Sequence, residues 1–441
     1  MKPSTRIIVN TLATYGRSLV AMGLSLFSAR WVLQALGPVD FGLYGVIGSI
    51  ILLITFLNDG MNVGVTRFYA YSIGRSHGRP PAEAREDLQR WFNAALAIHL
   101  VLPLVLVAAG YPLGMHAIHH WLTIPADRVE ACEWVLRISL ITALMNVVSV
   151  PFIAMYTAHQ HIAELAAFSL IGSVGTFVGA YGLLGVESDR LVVYALYMMG
   201  IGAGLPALLM ARAMIKFDAC RVRPAYLLAW PRLKELFGFV GWKMFGMSCV
   251  VFRLQGSPVL INLYFGPQVN AAYSIAQRIS TQAESLSASM TMAFQPAMTT
   301  LEGQGDRGRM LEAALGTCKY ATFLVLLFVT PLILEMDTVL AMWLGQPPAY
   351  TAAYCNIMLV MLVLDKITSG PMMAVNARGR IAAYELVQGL ILFSAIPLAW
   401  LFVHRGAGPV AVGHAFLVTM ALYCAGRLLF CRRLLGLPLL R

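Results

Sequence analysis

Charge is what this sequence has little of. Only 12% of its 441 residues are Asp, Glu, Lys or Arg, against about 25% in a soluble globular chain. A soluble enzyme and a disordered protein are both excluded by that shortage. Paired cysteines are also lacking. The seven Cys include no Cys-x-x-Cys pair, and Cys249, Cys355 and Cys424 fall inside apolar runs. They read as small core residues, and a secreted disulfide scaffold is excluded. No Gly-x-x-x-x-Gly-Lys-Ser/Thr stretch, the loop that cradles nucleotide phosphates, is found. The alternating segments of about 10 residues that mark a β-barrel are missing as well. No small-residue cleavage site follows the first apolar run, so no cleaved leader is expected.

What is present is long apolar sequence. Hydrophobic residues make up 59% of the chain, and the mean hydropathy is +0.72. A bilayer span needs about 20 apolar residues, and twelve helices of about 22 would use roughly 60% of the chain. The expected fold class is therefore an all-α polytopic membrane protein. The apolar runs predict spans near 8–33, 41–60, 92–114, 134–157, 164–186, 191–214, 236–262, 269–297, 319–340, 354–375, 383–403 and 410–430. The net charge of +11 comes from basic residues between these runs, which fits the positive-inside pattern better than nucleic-acid binding. Of 32 Lys and Arg, 22 fall in the termini and one alternating set of loops, against three (Arg128, Arg190 and Arg405) in the other. That bias predicts an even span count with both termini cytoplasmic. Two amphipathic stretches, 80–91, which opens with Pro, and 223–237, which mixes aromatics with basic residues, predict helices lying in the membrane interface.

The two halves of the chain resemble each other. Leu36-Gly37-Pro38 with Tyr44 recurs as Phe265-Gly266-Pro267 with Tyr273, an offset of 229. Trp121-Leu122 recurs as Trp343-Leu344 at offset 222, and Pro151 to Ala154 as Pro371 to Ala374 at offset 220. Six spans is an even number, so both halves would enter the membrane in the same direction, as a parallel repeat. The expected organisation is a six-helix bundle over 1–216, a linker over 217–235 and a second six-helix bundle over 236–441.

The stretch from Ser28 through Arg30, Leu36-Gly37-Pro38 and Asp40-Phe41-Gly42-Leu43-Tyr44 resembles the signature of bacterial polysaccharide (O-antigen type) flippases. Asp59-Gly60-Met61, then Thr66-Arg67-Phe68-Tyr69, and the turn Asn376 to Arg380 are similar to that family's segments after the second and tenth spans. The superfamily includes MATE drug exporters and lipid II flippases; the latter carry two extra helices, for which this chain has no room. The resemblance implies a V-shaped pair of six-helix bundles around a central cavity. It implies an undecaprenyl-diphosphate-linked oligosaccharide as cargo, moved from the cytoplasmic to the periplasmic leaflet of the bacterial inner membrane for surface polysaccharide biosynthesis. It also implies no cofactor, and polymerase and chain-length machinery as protein partners.

Seven basic residues fall within predicted spans away from their cytoplasmic ends: Arg17, Arg30, Arg137, Lys243, Arg253, Arg278 and Lys366. Each costs about 2.5–3.5 kcal/mol if lipid faces it. They are expected to face water, pair with acids or reach a span end. Asp59, Glu164 and Glu385 lie near span ends and read as solvated, which leaves Glu284 and Asp365 as the deep acids. Cations in excess predict a cavity suited to a diphosphate, which an Arg fork binds in bidentate fashion. The expected substrate-binding set is Arg17, Arg30, Lys243, Arg253, Arg278 and Lys366. Asp365, Glu284 and Asp59 are the candidates for ion coupling. Asp365 and Lys366 are chain neighbours pointing about 100° apart, so they are not expected simply to pair with each other. His116, His119 and His120 have a spacing that could bind a metal, but no Cys or His-Glu-x-x-His pattern supports one. A cation-coupled drug or metabolite exporter is the competing reading. A membrane enzyme would need a larger periplasmic loop than 115–133.

Overall fold

The computed structural model describes residues 3–122 and 124–436, with side chains described there except at 3–15, 17–19, 22, 25–26, 29, 38, 46, 48–57, 267 and 286–293. The described residues are helical throughout, joined by short turns, with no strand among them. Two compact units divide the chain, Met1–Phe237 and Gly238–Arg441.

The first unit contains α1 (Pro3–Arg75), α2 (Pro81–His116), α3 (Val129–Ala158), α4 (Ile162–Gly182), α5 (Arg190–Lys216), the single turn α6 (Pro224–Leu227) and the start of α7 (Trp230–Gln304). The second holds the rest of α7, α8 (Arg307–Leu334), α9 (Met336–Leu344), α10 (Thr351–Ile367), α11 (Ser369–Arg378), α12 (Ala382–Phe393), α13 (Ala395–His404) and α14 (Val410–Leu435). Eight helical segments are long and apolar enough to cross a membrane among the described residues. A ninth is α10 with α11, bent by 47°. The other three expected spans, 8–33, 41–60 and 269–297, lie in α1 and α7, whose side chains are described only in part.

Helices α1 and α7 each run through two expected spans, and each breaks at one glycine. Gly37 has φ 72° and ψ 171°; Gly266 has φ 79° and ψ −178°. A following proline pushes a residue to extended ψ, and extended ψ with positive φ is open essentially to glycine alone. The repeated Gly-Pro pair thus produces the same break in both halves. In the first unit nearby charges fix it. The Arg190 guanidinium donates to the Ala35 carbonyl at 3.1 Å, and Arg128 bridges Asp40 and Asp189. Burial opposes ionisation of Asp189, but Arg128 and two backbone N–H groups outweigh it and hold the carboxyl below its ordinary value.

Core packing follows the apolar faces. Val32, Leu36 and Ile47 of α1 pack with Val135 and Leu136 of α3 and with Leu191 of α5. In the second unit, Ile261 and Tyr273 pack with Tyr354, Leu359, Ala399 and Phe416. In α4, the glycines let α5 approach closely. A Cβ at Gly172 would meet Leu205 at 3.1 Å, one at Gly175 would meet Ile201 at 3.1 Å, and one at Gly179 would overlap the Tyr197 ring; Gly182 faces open space.

The expected interfacial helices take a different form. Residues 81–91 are the first turns of α2 itself. Residues 223–237 split into α6 and the start of α7. Pro224 and Pro231 each stand where a helix begins, where a missing N–H costs nothing. This segment is pinned to α2. Asn93 and Gln89 donate to the Arg221 carbonyl at 3.1 and 3.0 Å, and the Arg223 N–H donates to Asn93 at 2.7 Å. Arg232 donates to Asp87 at 2.7 Å. Ser72 and Arg75 hold the same Asp87 carboxylate, at 2.5 and 3.2 Å.

Candidate functional site

Each unit contains a polar cavity of its own. In the first unit a cavity of about 490 Å³ opens among α1, α3 and α5. Its polar lining comes from Asn58, Asp59 and Asn62 on α1 and from Ser139, Thr142, Asn146 and Ser149 on α3. The spacings on α3 are three, four and three, so one helical face carries all four polar groups through an otherwise apolar helix. Asn146 donates to the carbonyls of Thr142 and Gly202 at 2.9 and 3.3 Å. The Asn58 Oδ1 is buried with no hydrogen-bond donor among the described residues. No Lys or Arg is among the lining residues. Three cations of this unit are paired outside the cavity: Arg137 with Glu133, and Arg212 and Lys216 with Glu164.

The second unit's cavity, about 410 Å³, is different in charge. From α7 it takes Arg253, Tyr273, Gln277, Ser280, Thr281 and Glu284. Asp365 comes from α10, and Phe416, Met420, Tyr423 and Arg427 come from α14. The α14 residues recur at intervals of four, three and four, again a single helical face. Arg427 is 3% exposed. Its Nη1 donates to the Asp365 carboxylate at 2.8 Å, to the Asp365 carbonyl at 3.2 Å and to Thr368 Oγ1 at 3.1 Å. That carbonyl lies in the last turn of α10, where it also accepts from the Thr368 N–H at 3.2 Å and where a cation is favoured. The guanidinium also stacks 4.3 Å from the Tyr423 ring centre. Lys366 is buried, with Nζ 2.9 Å from Asp365 and 3.5 Å from Glu284.

Arg253 is half-buried, its guanidinium 5.9 Å from the Phe416 ring centre. The Nε atoms of Arg253 and Arg427 are both buried and have no acceptor among the described residues. Arg253 and Arg427 on the lining are matched by Asp365 and Glu284; Lys366, which pairs with both carboxylates from outside the lining, brings the cluster to a net of +1.

The candidates picked from sequence therefore divide. Arg253, Glu284, Asp365 and Lys366 come together in the second unit. Lys243 sits apart, with Nζ 2.5 Å from Glu385. Arg30 and Arg278 are exposed and line neither cavity. Asp59 lines the first-unit cavity. The Arg17 side chain lies outside the described residues.

Four expectations need correction. Glu385 is buried against Lys243 and is not solvated. Asp365 and Lys366 do pair, because the four-carbon lysine arm can bend round where α10 ends. Arg427, counted with the loop charges, is buried among Asp365, Thr368 and Tyr423. And the cation excess is confined: the first-unit cavity holds a carboxylate and neutral polar groups.

The histidines and the turn singled out in the sequence also have structural partners. His119 bonds to Glu133 at 3.1 Å, and the His116 and His120 rings lie 4.5 Å apart. Among the described residues no three His, Cys, Asp or Glu are grouped to hold a metal. In the turn after α11, Gly379 has φ 82° and Arg378 donates to the buried Glu302 at 2.7 Å.

No protein-family model matches this sequence, and no curated protein matches it. Solved structures do match in three dimensions. A MATE carrying a single substitution superposes with a TM-score of 0.84 at 16% identity, covering 99% of this chain and 97% of that one. An outward-facing multidrug resistance MATE family transporter of the MOP superfamily gives 0.80 at 15% identity, covering 99% and 96%. A MOP superfamily transporter from Pyrococcus furiosus gives 0.79 at 15% identity, covering 99% and 96%. That protein is described as having a binding pocket of reversed polarity, suggesting a different function. At such identities the likeness establishes the fold: this chain is a multi-pass membrane protein built as the MATE transporters are.

Proposed function

We propose that this protein is a flippase for a lipid-linked oligosaccharide, carried between leaflets by alternating access. The observation that carries the reading is the second-unit cavity, lined by Arg253 and Arg427, whose buried Nε–H groups have no acceptor among the described residues, with Lys366 beside its two carboxylates. Buried donors without partners are costly, and a diphosphate supplies several charged acceptor oxygens at once. An organic cation entering the same cavity would meet two guanidinium groups and find both carboxylates already paired. The amides and hydroxyls of the first-unit cavity suit sugar hydroxyls, which both donate and accept.

A second reading has its own observation. Asp59 lines a cavity without a lining cation, which suits a coupled cation and a MATE-type drug or metabolite exporter. A deletion strain complemented with variants separates the two. The flippase reading expects deletion to abolish surface polysaccharide and to accumulate lipid-linked oligosaccharide in the inner leaflet. It expects Arg253→Ala and Arg427→Gln to insert normally yet fail to complement. Normal surface polysaccharide in both variants refutes the cationic-site assignment, and a deletion strain that loses only drug tolerance favours the exporter.

A further inference from the structure

The second-unit cavity contains more than donors for an anion: it contains an anion of its own, tied to one of them. We infer that Asp365 is an internal competitor for this site, held on Arg427 until a phosphoryl group displaces it, and that the exchange releases the bend between α10 and α11. The identity of the ligand rests on the flippase reading; the exchange itself rests on the contacts.

Arg427 ties the bend together. It donates to Asp365 in α10, to Thr368 at the break and to the Met372 sulfur in α11, the last at 3.3 Å. A guanidinium that is 3% exposed needs an anion beside it, since a buried charge stripped of its partner is strongly destabilising. Asp365 is not equally dependent on Arg427. Its other oxygen lies 2.9 Å from Lys366, which also reaches Glu284. If Arg427 turned to an incoming phosphoryl group, Asp365 would keep Lys366, and no charge would be stranded. A carboxylate on Nη1 and a ligand oxygen compete for the same donor, so the carboxylate lowers the site's affinity. It also keeps the bend clamped while no ligand is bound.

The test is titration of inorganic pyrophosphate into the full-length protein in neutral-lipid nanodiscs, with thermal melting of each variant as a folding check. Saturable binding is expected, weakened about tenfold or more by Arg253→Gln and by Arg427→Gln. Asp365→Asn is expected to tighten binding by about tenfold, because it removes the competitor's charge. A merely structural Asp365 would weaken binding or leave it unchanged, and either result in folded protein overturns the inference.

Should Asp365→Asn not fold, Glu284→Gln decides. Freeing Lys366 to hold Asp365 alone draws the carboxylate from Arg427, so binding should tighten; unchanged or weaker binding overturns the inference. Adding phosphatidylglycerol to the nanodiscs names the source of the phosphoryl group. Competition with pyrophosphate points to a membrane phospholipid headgroup, and no competition points to a diphosphate cargo. Failure of the flippase reading shows separately, as pyrophosphate binding that follows the expected variant order in a protein whose deletion leaves glycan export intact.

Discussion

Lys243 and Glu385 are the residue pair most changed by being seen in three dimensions. Their side chains are 13% and 8% exposed and meet at 2.5 Å. Gly246 makes room for them, because a Cβ there would run into the Glu385 carboxylate. Removing one partner leaves a buried charge, so Lys243→Met should cost about 3–5 kcal/mol. The double variant Lys243→Met with Glu385→Leu should recover most of that loss, since a buried pair replaced by apolar groups is close to neutral. Denaturant melts of the purified single and double variants check this; a double variant no better than Lys243→Met contradicts it. Sequence position placed Glu385 near a span end and so in water. It could not show that α12 carries Glu385 alongside Lys243, because that lateral neighbour lies 142 residues away. Arg427 escaped for a related reason. A cationic residue near a span end reads as a loop charge, although its interval of four from Tyr423 put it on the cavity face of α14.

At the level of elements, most of the architecture was legible. Apolar runs of span length gave the helices, since nothing else satisfies backbone groups in lipid. The offset of 229 between the Gly-Pro pairs marked two breaks of the same geometry. That equivalence makes a prediction. Gly37→Ala and Gly266→Ala each force a Cβ into a backbone region that suits glycine, at about 1–3 kcal/mol. Both should lower the melting temperature, whereas Gly182→Ala, in a helix with nothing within 4 Å of its added Cβ, should leave it unchanged or raise it. Equal effects at all three positions would contradict this account of the breaks. The linker was less legible. Two prolines seven apart were read as one amphipathic stretch, and the buried amides of Gln89 and Asn93 that hold its backbone gave no periodic signal of their own. The polar stripe on α3 was visible in principle, as four polar residues at helical spacing inside an apolar span.

For the whole molecule, composition and span count pointed to the fold, and solved MATE structures at 15–16% identity share it over 99% of the chain. The cargo depends on charges inside the membrane, where a count along the chain overstated the excess. Lys243, Lys366 and Arg137 are balanced by carboxylates that the sequence left unassigned to them. Of the other cations described, Arg253 and Arg427 line the second-unit cavity, whereas Arg30 and Arg278 are exposed and line neither cavity.

The claim that this cavity serves a phosphorylated lipid cargo is tested most directly with purified protein in liposomes loaded with undecaprenyl-diphosphate-linked oligosaccharide. The measurement is the fraction of glycan that becomes accessible in the opposite leaflet over time. Wild-type protein should raise that fraction well above protein-free liposomes, and folded Arg253→Ala should return it to the protein-free level. Wild-type liposomes that leave the glycan in its starting leaflet while moving an organic cation would contradict the account.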